Sequence, residues 1–322
     1  MKLRKYLMGA ALAAGALAAA TAGQAQDYPT KPITIVAPFP PGASTDTSLR
    51  VLLPKMSEVL GQPLVVDNRP GSSGTLGAAH VARSAPDGYT LVWSVNAPFT
   101  LAPYSLKNVP YDTKKDFRPV GWAASAILGL AVHPSLPVNN VQELIDYAKA
   151  NPGKLKFGSA GIGSAHHIAG ELIKKEAGID MVHVPYPGGG PAIADLVGGH
   201  IMVSFGTLPA LIPHAQNNGL KILAIVEQQR YSKMPDVPTV AETIPGVGIA
   251  TWVGLMAPAE TPDDVVAKVN DAMNQALKDP AVQKQYEAFG LEVKGGTPEE
   301  LGAKIDEELV TFKDLFPAIG IE

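Results

Sequence analysis

Twice along this chain, short β-branched runs alternate with segments whose apolar residues recur at helical spacing. No other feature limits the fold as much. KPITIVAPF opens the first series, and from Thr45 to Leu60 the residues Leu49, Leu52, Leu53, Met56 and Leu60 fall on one helical face. Pro54 lies inside that pattern, where a missing N–H predicts a kink or a split. QPLVVDN reads as a second strand, a glycine-rich loop and a helix through Ala85 follow, and YTLVWSV reads as a third strand. This βαβαβ order predicts an α/β architecture built on a mainly parallel, doubly wound sheet.

The second series repeats the order. Val141 to Ala150 reads as a helix, KLKFGSA as a strand, and Ser164 to Glu176 as a helix with Ala165, Ile168, Ala169, Leu172 and Ile173 inward. DMVHVPY is a strand. A helix then runs between Pro191, at its first position, and Gly198, at its end. HIMVSFG and LKILAIV are further strands. Two long apolar segments rich in small residues, VGWAASAILGLAVHP and GIATWVGLMAPAETP, read as crossings between the series. The chain would then leave a first lobe near Ile127 and return near Ala250, and the amphipathic stretch after Pro262 would complete that first lobe. The expected domains are 26–126 with 251–322 as lobe 1 and 127–250 as lobe 2, hinged around a ligand cleft.

The N-terminus sets the compartment. Lys2, Arg4 and Lys5 precede an uncharged, alanine-rich run from Leu7 to Ala20, and Gly23 and Ala25 are small where a signal peptidase reads. The pattern predicts a secretory leader over residues 1–25; its apolar run is shorter than the roughly 20 residues that a membrane span needs. The chain has no cysteine, so it forms no disulfide and offers no cysteine for lipid attachment. A soluble periplasmic protein fits these features. Without the leader, 23 basic and 30 acidic residues leave a net charge of −7. With no basic patch, nucleic acid and anionic membranes are poor partners. Attraction for an anion would have to come from aimed N–H dipoles.

Four glycine-rich loops can supply such dipoles. In GSAGIGSAHHIAGE a strand ends near Ala160 and a helix begins near Ser164, where the first N–H groups have no internal partner and the helix dipole is positive. Gly161 and Gly163 would let a carboxylate or phosphate approach the backbone. Ser164 would either cap the helix or donate to the ligand. APFPPGASTD offers a matching loop, with hydroxyls on Ser44 and Thr45, N–H groups at Gly42 and Ala43, and prolines that stiffen it. Asp46 sits in the first helical turn and would complement the dipole. In VPYPGGGPAIADL, Gly188 to Gly190 precede a helix and Tyr186 could stack on a ligand or pack beneath the turn. DNRPGSSGTLGAAH places Ser72, Ser73 and Gly74 at another helix start, facing the cleft or forming only a turn.

Enzyme signatures fail. The phosphate-loop spacing lacks its lysine, GIGSAH is not GxGxxG, and no G-x-S-x-G or HExxH is present. His166 and His167 are adjacent, so they diverge around the helix and do not suit one metal. Ser164 and His167 share a face, but no acid is placed to orient the histidine as a hydrolase requires.

YPTKPITIVAPFPPGASTD, VDNRPGSSGTLGAAHVARSAPDGYTL, YDTKKDFRPVG, GSAGIGSAHHIAGE, VPYPGGGPAIADLVGGH and MPDVPTVAE closely resemble, in this order, the Bug-type receptors of tripartite tricarboxylate transporters. The resemblance spans essentially the whole chain after the leader. It implies a two-lobed periplasmic-binding-protein (venus flytrap) fold, each lobe a mainly parallel doubly wound sheet with flanking helices. It also implies a small organic carboxylate as ligand, membrane permease subunits as partners, and no catalysis, cofactor or metal. We expect a monomer. Matching the motifs residue by residue, the resemblance implies ligand-binding roles for Phe39, Pro40, Gly42, Ala43, Ser44, Thr45 and Asp46 in the first loop. It implies the same for Ser94 and Asn96 after the third strand, for Gly161, Ile162, Gly163, Ser164 and His166, for Tyr186, Gly188 and Gly189, and for Gly206 and Thr207. Ala43 replaces a frequent glycine. Gly206 stands where many relatives carry an aspartate, which implies a preference for acids without an amino group. A receptor of the same fold that reports to a sensor kinase is the alternative from another class, and a hydrolase using Ser164 and His167 is a third.

Overall fold

A computed structural model describes residues 28–318 except 232 and 250, together with residue 320. The expected leader, residues 1–25, and the return point at Ala250 lie outside the described residues. The first series is β1 (Ile33–Ala37), α1 (Ser44–Leu60), β2 (Leu64–Asn68), α2 (Thr75–Ala82) and β3 (Thr90–Val95). A wide turn over Ala97–Leu101 and the short helices α3 (Ala102–Ser105) and α4 (Thr113–Asp116) lead to β4 (Phe117–Ala126). The second series is β5 (Leu128–Val132), α5 (Val141–Ala150), β6 (Leu155–Ser159), α6 (Ala165–Ala177), β7 (Met181–Pro185), α7 (Gly189–Val197), β8 (Val203–Thr207), α8 (Leu208–Gln216) and β9 (Lys221–Ile225). The chain ends with β10 (Thr251–Pro258), α9 (Asp263–Leu277), α10 (Pro280–Ala288), β11 (Leu291–Val293) and α11 (Pro298–Ala318).

The strands form two sheets, in the orders β11-β4-β10-β3-β1-β2 and β7-β6-β8-β5-β9. Within each series the pairing is parallel: β1 lies between β2 and β3, and β6 between β7 and β8. Antiparallel pairs arise where the chain changes sheet. β5 opposes β8 and β9, β10 opposes β3 and β4, and β11 opposes β4. Each sheet is therefore mixed rather than mainly parallel as the sequence predicted, because strands contributed after the chain changes sheet enter in the opposite direction. Only Ile127 separates the last residue of β4 from the first of β5, so this crossing is a single residue wide.

Helix α1 buries the expected stripe of Leu49, Leu52, Leu53, Met56 and Leu60. The helix runs unbroken through Pro54, so the expected split does not occur. Pro54 lies on the exposed side of the helix, where water can reach the carbonyl that loses its N–H partner. Helix α2 ends at Ala82, three residues short of the expected Ala85. The C-terminal helix serves both sheets. Leu301 and Ile305 pack with Phe99, Trp252 and Met256 on the first sheet, and Phe312, Leu315 and Phe316 join the core of the second sheet with Leu130, Phe157 and Phe205.

Candidate functional site

The first cradle follows β1. Ala43, the residue before α1, is extended and has no side chain that could cap the helix. The backbone N–H groups of the first turn therefore have no side-chain cap. Beneath them Asp46 is fully buried. It accepts from the Gly42 N–H (2.8 Å), from Arg50 (2.9 Å) and from Asn68 Nδ2 (2.9 Å). Burial opposes its charge, yet these bonds hold its pKa at about 2. Asn68 also donates to the Phe39 carbonyl (3.1 Å), which ties the loop to β2.

The second cradle follows β6 and is built differently. Ser164 caps α6: its Oγ accepts from the His167 N–H (3.2 Å) and donates to the Gly161 carbonyl (2.7 Å). His167 Nδ1 accepts from the Gly163 N–H (3.2 Å), and the His167 ring stacks on His183 at 3.8 Å. His183 Nε2 meets Ser159 Oγ at 2.6 Å, and Ser159 Oγ accepts from the Gly161 N–H (3.1 Å). Burial pushes both histidines down to about 4; the charge of Lys174 adds to this in each, and His167 also feels His183. His166 is pushed down to about 4 by burial alone. All three imidazoles are neutral at neutral pH. Glu171 Oε1 lies 3.9 Å from His167 Nε2, so an acid does stand beside this histidine, contrary to the sequence expectation. Ser164 Oγ and His167 Nδ1 are each engaged with the backbone and not with one another.

Two more helix starts join these cradles. Neither Gly188 before α7 nor Thr207 before α8 forms a side-chain cap. A cavity of about 510 Å³ opens where the four starts meet, and strands of both sheets line it. Of the sequence-predicted residues it gathers Phe39, Ala43, Ser44, Thr45, Asn96, Ile162, Gly163, Ser164, His166, Gly188, Gly189, Gly206 and Thr207. No Asp, Glu, Lys or Arg is among the described residues that line it. Two polar atoms of lining residues, His166 Nδ1 and Thr251 Oγ1, are buried without a hydrogen-bond partner.

Six predicted residues are not in the lining. Pro40 and Gly42 are exposed and shape the first loop. Asp46 faces inward to its three donors. Ser94 is buried within β3, one residue before the lining residue Val95. Gly161 supports the second loop through its carbonyl and N–H. Tyr186 packs against the cluster of Ile193 and Leu196, and its hydroxyl donates to Asp195 Oδ2 (2.7 Å). The structure adds residues that the motifs did not reveal. Ala126, Leu128, Thr251 and Val253, at the changes of sheet, form part of the lining, with Phe289 and Leu291 before and within β11. Of the fourth loop, which the sequence left either facing the cleft or forming only a turn, Ser73 belongs to the lining, on a run from Gly71 to Gly74 that holds left-handed φ throughout.

Two α/β units that share one cleft, with uncapped helix starts converging on it, define a two-lobed periplasmic binding protein. The chain belongs to the tripartite tricarboxylate transporter family receptors, whose family model matches residues 48–321. BugT of Bordetella pertussis is 36% identical over 297 residues, covering 90% of this chain and 91% of that protein. An R. palustris protein solved with adipate is 32% identical with a TM-score of 0.80, covering 91% of this chain and 98% of that one. MatC from Rhodopseudomonas palustris, solved with bound malate, is 31% identical with a TM-score of 0.77, covering 89% of this chain and 99% of that one.

Proposed function

We propose that this chain is a non-catalytic periplasmic solute receptor. It captures a small organic carboxylate between two lobes and delivers it to the permease subunits of a tripartite tricarboxylate-type secondary transporter. The observation that carries this reading is the cavity itself: four helix starts converge on it, three of them without a side-chain cap, and no charged side chain is among the described residues that line it. Oriented N–H groups and the dipoles behind them suit an anion without requiring a lysine or arginine. Relatives solved with adipate and malate support a carboxylate as that anion.

In this reading residues 1–25 are a cleaved secretory leader, 26–126 with 251–322 form lobe 1, and 127–250 form lobe 2. The receptor works as a monomer that closes on its ligand. The thirteen lining residues named above contact the ligand or its waters, and Asp46, Gly161 and Tyr186 hold the loops in place. A thermal-shift screen of the mature protein over mono-, di- and tricarboxylates tests this. A ligand at 100 times its Kd stabilises the folded state by about 2.7 kcal/mol. If no carboxylate raises the melting temperature at millimolar concentration, the reading fails.

A further inference from the structure

Beside the cleft, the turn from α10 into β11 reaches across to the other unit. Glu287, in the last turn of α10, pairs with Lys233 after β9, with Nζ 2.6 Å from Oε1. Among the described residues every other ion pair lies within one unit. Tyr231 and Met234, which flank Lys233, pack against Ile127, Leu208 and Ile225 and so fix the loop that presents it. Gly290 then turns the chain with a φ of +71°. It seats directly on Pro209 in the first turn of α8, where a Cβ on Gly290 would come within 2.2 Å of Pro209 Cδ. Ile127, the one residue between β4 and β5, is held from both sides. Its N–H reaches the Gly290 carbonyl (3.5 Å), and its own carbonyl accepts from the Leu208 N–H (3.1 Å). Phe289 and Leu291, on either side of Gly290, line the cavity.

An exposed ion pair adds little to folding stability. Placed between two units, the same small term acts on the balance between their open and closed arrangements, which lie close in free energy. We propose that residues 287–290 form a clasp that sets the angle between the two units before any ligand arrives. The Lys233–Glu287 pair draws the units together, and the seat of Gly290 on Pro209 fixes how near they come. The clasp bears on binding from outside the cavity, because the same turn places Phe289 and Leu291 in the wall and presses on the start of α8. Lys233 and Glu287 are positioning residues; neither is in the lining. The clasp goes beyond the receptor reading, and its main readout needs no ligand, so either can fail while the other stands.

Distances between spin labels test it. The chain has no cysteine, so Glu58→Cys on α1 and Glu176→Cys on α6 place one label on an exposed face of each unit. The ligand-free mature protein is expected to give a single narrow distance distribution. Lys233→Glu and Glu287→Lys should each broaden it and lengthen its mean, and the two changes together should restore it. Salt at 1 M, which screens charges beyond about 3 Å, should move the unchanged protein toward the single variants. Gly290→Ala should open the units furthest. Gly61→Ala imposes a similar left-handed strain with nothing within 4 Å of its Cβ and should leave the distances alone. Affinity for adipate should fall about threefold in each single reversal and recover in the double swap. Unchanged distances in the reversals, or a double swap that does not restore them, overturn the pair. Gly61→Ala opening the units as far as Gly290→Ala overturns the seat. Distances that change while adipate affinity stays level overturn the link to the cavity. If the unchanged protein binds no adipate, that counts against the receptor reading, and the distances still decide the clasp.

Discussion

The two cradles reach the same result, free N–H groups at a helix start, by opposite means. The loop before α1 leaves its helix uncapped and takes its shape from a buried carboxylate, Asp46, which grips the Gly42 N–H, Asn68 and Arg50. The loop before α6 has a capped helix and takes its shape from neutral imidazoles and serines, with Gly163 held by His167 and Gly161 held by Ser159. The first scaffold needs a charge to stand; the second needs two groups to remain uncharged. The cradles should therefore fail under different substitutions and at different pH.

The largest effect is expected at Gly163. Its φ is +75°, and a Cβ there would come within 3.0 Å of Ser105 Oγ on α3, across the cleft. Gly163→Val therefore strains the backbone, wedges the two units apart and crowds the anion. Charge-assisted hydrogen bonds contribute about 1.5–3 kcal/mol each, so affinity should fall about a hundredfold or more, and Gly163→Ala should lose less. Calorimetry on the folded variants decides this, and near-normal affinity in Gly163→Val would reduce this loop to a simple turn.

Next comes Asp46. Asp46→Ala takes the acceptor from the Gly42 N–H and one of two acceptors from the Asn68 amide, which keeps the Phe39 carbonyl, and leaves Arg50 with only Asn68 Oδ1. Each hydrogen bond to a charged group contributes about 1.5–3 kcal/mol. Denaturant unfolding should show a loss of about 2–3 kcal/mol, and binding should weaken with it. The matching change in the other cradle, His167→Phe, keeps the ring stack with His183 but removes the acceptor for one N–H, so a smaller loss is expected.

The smallest effect is a separation in pH. Imidazoles titrate near 6.5 in an unfolded chain and near 4 in the second cradle. Their contribution to stability is complete above about 6.5 and is lost as pH falls toward 4. Asp46 lies below the usual carboxylate range, so the first cradle weakens only as pH falls from about 4 toward 2. Burial pushes Glu227 and Glu308 up to about 7. That contribution runs the other way, lost as pH rises toward 7, so a melting curve blends opposing slopes. Local amide signals keep them apart: Gly161 and Gly163 should move between pH 6 and 4 while Gly42 stays still.

Much of this was legible in the sequence because it is local. The apolar stripe of α1, the glycine turns and the change of sheet at Ile127 each follow from spacing or from a single loop. The family motifs gathered thirteen of the residues that now share the cavity. What the sequence hid depends on distant partners. Pro54 is tolerated because its side of α1 faces water. Asp46 was legible as a charge at the helix head, but not its hold on Asn68, 22 positions away. Thr251 and Val253 line the cavity only because β10 inserts between β3 and β4. The C-terminal helix spans both cores because Phe312 and Phe316 reach beyond the first sheet, which an amphipathic pattern alone does not reveal.

The central claim is that one ligand is gripped by both cradles at once. Amide NMR of the mature protein, titrated with succinate or adipate, tests it most directly. The expected result is that Ser44 and Thr45 in one unit and Ala165, His166 and Gly189 in the other shift together, along a single binding curve. Movement confined to one unit, or two curves with different midpoints, would contradict it.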